Sequence, residues 1–366
     1  MKDKIYFHNL NGLRFIAAFF VIICHVELIK KYYNIDNFRE ETIFLGGLGV
    51  DLFFVLSGFL ITFLLLKEKE QFFKIDYKAF YMRRVLRIWP LYYVVVILSL
   101  FILPNFDIFS IPLLHSKFNS STDWLYVLLF FILMLPNVLF FIKPIHFATQ
   151  TWSIGTEEQF YLIWPLLISK TKKYKVLFVS VLATYWIFHF IFNSSFFNEF
   201  RFIEIFRNFY SLFKIDVLTI GAFAAILCFE KNTILDKIIN FKVFIVAILL
   251  LLYFYTNENL FIERIVYSLL FALLILNLVN LQSLSTVLEF KAINYLGKIS
   301  YGIYMYHLIL IVLIINVLIK LNCFNNILLY VLSFTLTILV SSLSYEYIEK
   351  PFLKLKLKYT YFENKK

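Results

Sequence analysis

Apolar segments about twenty residues long recur from one end of this 366-residue chain to the other. A segment of that length and character reads as a helix crossing a lipid bilayer. Composition agrees: 61% of residues are hydrophobic, 20% aromatic and 16% charged, a balance unlike that of a water-soluble domain. The expected fold class is all-α, a polytopic transmembrane helical bundle in a single membrane domain over residues 1–366, with no appended soluble domain. The first segment follows a short basic flank (MKDKIYFHNL) and lacks a small-residue cleavage site, so it reads as a retained helix rather than a signal peptide. Cys24, Cys228 and Cys323 have unrelated spacings and suggest neither a disulfide framework nor a metal site. The formal charge of +11 is read through membrane topology, not as a nucleic-acid footprint.

Candidate spans are 10–29, 45–66, 89–104, 124–142, 157–169, 175–192, 211–229, 242–256, 263–280, 302–319 and 326–347. Pro136, Asn137 and the following Pro144 disturb the fourth. Lys and Arg gather in cytoplasmic loops, and the dense basic clusters are 67–87, 170–175, 231–242, 291–298 and 350–366. If every candidate crossed, cluster 170–175 would face away from cluster 67–87. If 124–142 dips in and returns, all five clusters share one side with the N-terminus. The expectation is therefore about ten spanning helices, a re-entrant or surface-lying segment near 124–142, and both termini cytoplasmic in the plasma membrane.

Within the first span, LNGLRFIAAFFVIICHVELI, stand Arg14 and His25. Eleven helical residues make about three full turns, so the two share one face, roughly 16 Å apart along the axis. Each could snorkel to its own interface. Ionisable groups at membrane depth are costly, however, and they usually face a bundle interior or a wet cavity. Two on one stripe favour that functional reading.

Three further segments carry polar chemistry. In FYMRRVLRIWPLYY (80–93), Arg84 and Arg87 stand three apart on one helical face and could grip a diphosphate; positive-inside anchoring beside Trp89 and Tyr92 explains them equally well. In TWSIGTEEQFYLIWP (151–165), Thr156 with Gln159 forms a capping-box pattern, and Glu157 and Glu158 suit a first helical turn. A carboxylate there, at the depth of His25, could also orient an imidazole. GGLGVDLFFVLSGFLIT (46–62) holds small residues suited to close helix packing, with Asp51 among them. Near the C-terminus, His307 reads as an aromatic-flanked interfacial histidine and Glu349 as a charge solvated at a helix end.

With these segments in order, the chain resembles the acyltransferase family 3 membrane proteins, from about Leu10 to Phe352. LNGLRFIAAFFVIICH is similar to the family's opening motif through Arg14 and His25, and RRVLRIWP to its Arg-x-x-Arg signature through Arg84 and Arg87. GVDLFFVLSGFLIT, WSIGTEEQFYLIWP, KIDVLTIGA, GKISYGIYMYH and YEYIEKPF look like further family segments. The chain departs at Asn11, where Asp is common, and at Lys214, where Arg is usual; the second change keeps charge but not bidentate geometry.

The resemblance implies acyl transfer from cytoplasmic acyl-CoA, most often acetyl-CoA, to a hydroxyl of an extracytoplasmic glycan or similar acceptor. Catalysis by His25 as general base, with Glu157 or Glu158 orienting the ring, would suit that chemistry at neutral pH. Ser153, Trp152 and the backbone amides at 155–157 are the candidate oxyanion donors. Arg84 and Arg87, with Arg14 further along, would hold the CoA phosphates. No metal is called for. The partners expected are acyl-CoA, a carbohydrate or other hydroxyl acceptor and membrane lipid, with no nucleic acid. The rival from another class is a flippase or permease for a glycan or lipid-linked sugar.

Overall fold

The computed structural model describes residues 6–113, 121–194, 201–231, 233–256 and 262–361, and no strand occurs among them. The first half holds α1 (Leu10–Lys31), α2 (Leu45–Phe72), α3 (Tyr77–Ile97), α4 (Ser121–Ile132), α5 (Pro136–Ile142), α6 (Trp152–Lys170) and α7 (Tyr174–Asn193). The second holds α8 (Arg201–Leu212), α9 (Ile215–Glu230), α10 (Thr233–Ile238), α11 (Phe241–Thr256), α12 (Ile262–Asn280), α13 (Lys291–Lys298), α14 (Ser300–Lys320), α15 (Asn326–Ser344) and α16 (Lys350–Lys356). Seven helical stretches among the described residues are long and apolar enough to cross a membrane, and α11 and α12 are shorter apolar helices. With the 19-residue α6, helices stand at all ten positions expected to cross. Lipid offers the backbone no partner, so a chain this apolar closes its hydrogen bonds within helices. The protein is a multi-pass membrane protein.

Side-chain contacts gather the basic clusters at one end of the bundle, the basic end. Lys69 Nζ donates to Ile168 O at 2.8 Å and Thr171 O at 2.7 Å, joining clusters 67–87 and 170–175. Lys175 pairs with Glu230 at the end of α9. Asn11 Nδ2 donates to Asn294 Oδ1 at 2.5 Å, and Arg83 Nη1 to Tyr359 O at 2.7 Å.

Helices α3 and α6 run antiparallel, with Tyr81 hydroxyl on Leu162 O and Trp89 Nε1 on Glu158 Oε2. One leaves the basic end and the other returns to it, so the segment between them begins and finishes at the far end. There α4, at 12 residues about 18 Å long, is too short to cross. The chain turns at Met134 (φ 56°) into α5, whose first residue is Pro136. Tyr92 holds the corner inside the bundle through Phe131 O at 3.1 Å. The segment expected to be re-entrant or surface-lying is thus a pair of short helices broken at Met134–Pro136.

Helix α2 forms the centre. It meets α9 most closely at Gly58 and Gly221: a Cβ on Gly58 would collide with Leu218 O, and one on Gly221 with Val55 O. Close approach by glycine gives packing contacts where lipid supplies no hydrophobic drive between helices. Ion pairs to buried carboxylates fix the register. Lys214 Nζ meets Asp51 Oδ1 at 2.7 Å, and Arg264 meets Asp216 at 2.8 Å. At the far end of α1, buried Lys30 pairs with buried Glu27, which also accepts from the Tyr330 hydroxyl at 2.7 Å and from Phe38 N at 2.8 Å.

Candidate active site

Helix α3 starts at Tyr77, capped by the Asp76 side chain on Ala79 N, so MRRVLRIW lies within the helix rather than ahead of it. Arg84 and Arg87 therefore point from the body of α3 into the bundle, about 10 and 15 Å along its axis. They line a pocket with Arg14 of α1, Ser57 of α2, Ser153, Glu157 and Tyr161 of α6, and Tyr301 and Tyr304 of α14. The pocket leaves about 110 Å³ of free volume. Arg83 goes elsewhere, to Glu68 at 2.9 Å and to the C-terminal tail.

Positive charge exceeds negative charge in this pocket. Arg14 donates to Asn11 Oδ1 at 3.2 Å, and Arg84 Nε is buried without a partner. Among the described residues no carboxylate lies within ion-pair distance of Arg14, Arg84 or Arg87. Glu157 is the carboxylate lining the pocket, and its oxygens already accept from Ser57 Oγ at 2.8 Å and the Tyr161 hydroxyl at 3.0 Å. Fixed guanidinium groups with surplus donors make a receptor for a multiply charged anion such as a phosphate.

The expected pairing of Glu157 with His25 is not made. Helix α6 rotates Glu157 toward the arginines, while Glu158 turns to α3, accepting from Trp89 Nε1 at 3.4 Å with its other oxygen buried and unpartnered. The expected capping box is absent because α6 begins at Trp152, which puts Thr156 and Gln159 inside it. Thr156 Oγ1 bonds Leu212 O, and Gln159 exchanges hydrogen bonds with Asn137 of α5. The amides of Thr156 and Glu157 consequently serve the helical ladder rather than stand free as oxyanion donors. Trp152 packs edge-on against Phe54, with Lys214 Nζ 5.8 Å from its ring, away from the pocket wall. Ser153 remains on the wall, its Oγ 2.7 Å from the Tyr304 hydroxyl, which itself donates to Gln150 O.

Arg14 and His25 share the unbroken α1, as expected, but His25 does not line the arginine pocket. Its ring lies against His307 of α14, centroids 4.7 Å apart and planes at 65°. Tyr304 connects the two places. It lines the pocket, and its ring stands 5.8 Å from that of His307. His307 is fully buried rather than interfacial. Glu349 is likewise buried, with Oε1 unpartnered, rather than solvated. Tyr301, Tyr304 and His307 follow at intervals of three in SYGIYMYH, a helical spacing that could have flagged them together.

The family profile described as an acyltransferase domain matches residues 7–346. Curated relatives include the peptidoglycan O-acetyltransferase OatA of Listeria monocytogenes, 28% identical over 95% of this chain and 56% of the relative. Another is YrhL of Bacillus subtilis, provisionally named a peptidoglycan O-acetyltransferase, 28% identical over 94% of this chain and 55% of the relative. Staphylococcus aureus proteins provisionally named O-acetyltransferases are 26% identical over 96% of this chain and 58% of the relative. The chain thus spans somewhat over half the length of these relatives. No solved structure matches. A match of this extent to one profile places the chain among the acyltransferase domain proteins, and it belongs to that family.

Proposed function

We propose that the protein is a membrane O-acetyltransferase that takes the acetyl group of acetyl-CoA on the cytoplasmic side and gives it to a hydroxyl of a cell-envelope glycan. The carrying observation is the pocket where Arg14, Arg84 and Arg87 converge without an ion-pair partner among the described residues. Phosphates of CoA supply the missing charge. The positive-inside tendency assigns the basic end, with both described chain ends, to the cytoplasm of the plasma membrane. The names of the relatives favour a peptidoglycan acceptor.

In this reading the arginines hold the donor and its thioester arm reaches toward Tyr304 and the histidine pair. His25 removes the acceptor hydroxyl's proton as the oxygen attacks the thioester carbonyl. The carbon–oxygen bond forms, the carbon–sulfur bond breaks, and the leaving thiolate receives the proton back from the imidazolium. The Ser153 hydroxyl, on the pocket wall, would turn from Gln150 O and Tyr304 to the carbonyl oxygen as that oxygen gains charge.

The test is binding and transfer by the purified protein in detergent, using acetyl-CoA labelled in the acetyl group and soluble peptidoglycan fragments. The reading requires saturable donor binding that weakens with salt, and label appearing as an alkali-labile ester. Absence of saturable acetyl-CoA binding overturns it.

A further inference from the structure

The orientation of the two facing histidine rings follows from their hydrogen bonds. His25 Nδ1 is 2.8 Å from Val21 O, and His307 Nδ1 is 2.6 Å from Tyr304 O. A carbonyl oxygen only accepts, so each Nδ1 carries a hydrogen. In the neutral rings Nε2 is then the lone-pair nitrogen on both. His307 Nε2 is buried and unpartnered. No partner to His25 Nε2 occurs among the described residues. Two basic nitrogens without hydrogens cannot bond each other directly, but they can share one added proton. A straight N–H···N bond between imidazoles sets their centroids about 5 Å apart, and the observed 4.7 Å is compatible with such a contact.

We propose that His307 is a positioning residue for the transfer reaction, the group that steadies His25 when it becomes an imidazolium. This inference rests on the acetyltransfer reading above. The step balances as written there: the acceptor O–H proton moves to His25 Nε2, is shared with His307 Nε2, and passes to the departing thiolate. His307 thus fills the supporting role expected of Glu157, whose carboxylate is held by Ser57 and Tyr161 in the arginine pocket. Of the titratable side chains near the pair, Tyr304 lies 5.8 Å from His307, its hydroxyl engaged with Gln150 and Ser153.

The experiment compares the intact protein with His307→Gln, His307→Phe and His25→Ala in acetyl-CoA binding, kcat, KM and the pH dependence of transfer. Gln keeps a donor for Tyr304 O without a basic nitrogen; Phe fills the site as an apolar ring. For both His307 variants kcat should fall about 100-fold, with donor affinity within twofold of wild type. A base works when unprotonated, and sharing a proton raises the pair's affinity for it. Loss of His307 should therefore move the acid limb of the rate profile to lower pH. Lower activity with an unmoved limb, or turnover within threefold of wild type, overturns the inference alone. So does failure of both variants to assemble, which would make His307 structural. Failure of wild type to transfer from acetyl-CoA, by contrast, removes the function reading itself.

Discussion

Ser57 Oγ donates to Glu157 Oε1 over 2.8 Å, joining α2 to α6 beside the three converging arginines. The carboxylate that sequence reasoning assigned to the imidazole is thus a counter-charge within a phosphate-sized receptor. Glu157→Gln keeps acceptor oxygen for Ser57 and removes the charge. An anionic donor then meets less repulsion, so acetyl-CoA should bind as tightly as to wild type or a few-fold more tightly. Transfer should nevertheless fall by about tenfold or more, because one amide oxygen cannot accept from both Ser57 and Tyr161, and the pocket wall they form then shifts against the bound donor. Titration calorimetry beside a transfer assay separates these effects; weaker donor binding would contradict this assignment.

Much of this arrangement was legible beforehand, and the reasons are physical. Length and apolarity located the ten expected spans, and the distribution of Lys and Arg favoured a segment near 124–142 that returns to its starting side. Contacts such as Lys69 on Thr171 agree with that return. Depth along a helix follows from residue count, which is why Glu157 and His25 could be set at similar heights. Rotation about the helix axis does not follow from count. It depends on where α6 begins, and the capping-box pattern with Thr156 as N-cap suggested a first helical residue at 157, five residues later than Trp152. Long-range partners were equally hidden: nothing within SYGIYMYH says that His307 faces a residue 282 positions earlier.

Arg84 and Arg87 should matter to donor affinity in proportion to buried, charge-assisted bonds, each about 1.5–3 kcal/mol. Arg84→Ala or Arg87→Ala should therefore weaken acetyl-CoA binding roughly 10- to 100-fold. Binding of the acceptor should change much less. Arg84→Lys should restore only part of the loss, because a point charge cannot fork onto two oxygens. Donor affinity unchanged in both alanine variants would show that the phosphates bind elsewhere.

Gly58 is where α2 and α9 touch backbone to side-chain position, and a methyl group there meets Leu218 O and its carbonyl carbon rather than a movable side chain. Gly58→Ala should destabilise the bundle by at least about 1–3 kcal/mol. The expected result is a lowered thermal midpoint in detergent or loss of the monodisperse protein on gel filtration. Gly47, with open space around its Cβ position, is the control, and Gly47→Ala should leave both measurements unchanged. Equal behaviour of the two variants would rule out the close α2–α9 approach.

The C-terminal tail is fastened beside α3 by Asp76, which accepts from Ala79 N at 2.9 Å and from the Tyr361 hydroxyl at 2.6 Å. The Ala79 amide and then the Tyr361 hydroxyl hold the Asp76 carboxyl below its ordinary value of 3.8. In the same contact the Tyr361 phenol is pushed above 10.0, first by its bond to Asp76 and then by burial. A depressed carboxyl contributes stability above its unfolded value, and that contribution is lost as pH falls through the folded one. A raised phenol contributes below its unfolded value and loses the contribution as pH rises through the folded one. The clasp should therefore be fully present between about pH 5 and 9 and weaken on either side. Tyr361→Phe should lower the thermal midpoint by about 2 °C within that window. The difference from wild type should shrink below pH 4 and above pH 10. A difference that stayed constant across the whole range would mean that packing of the ring, with Phe72 at 5.1 Å, fastens the tail instead of the hydroxyl.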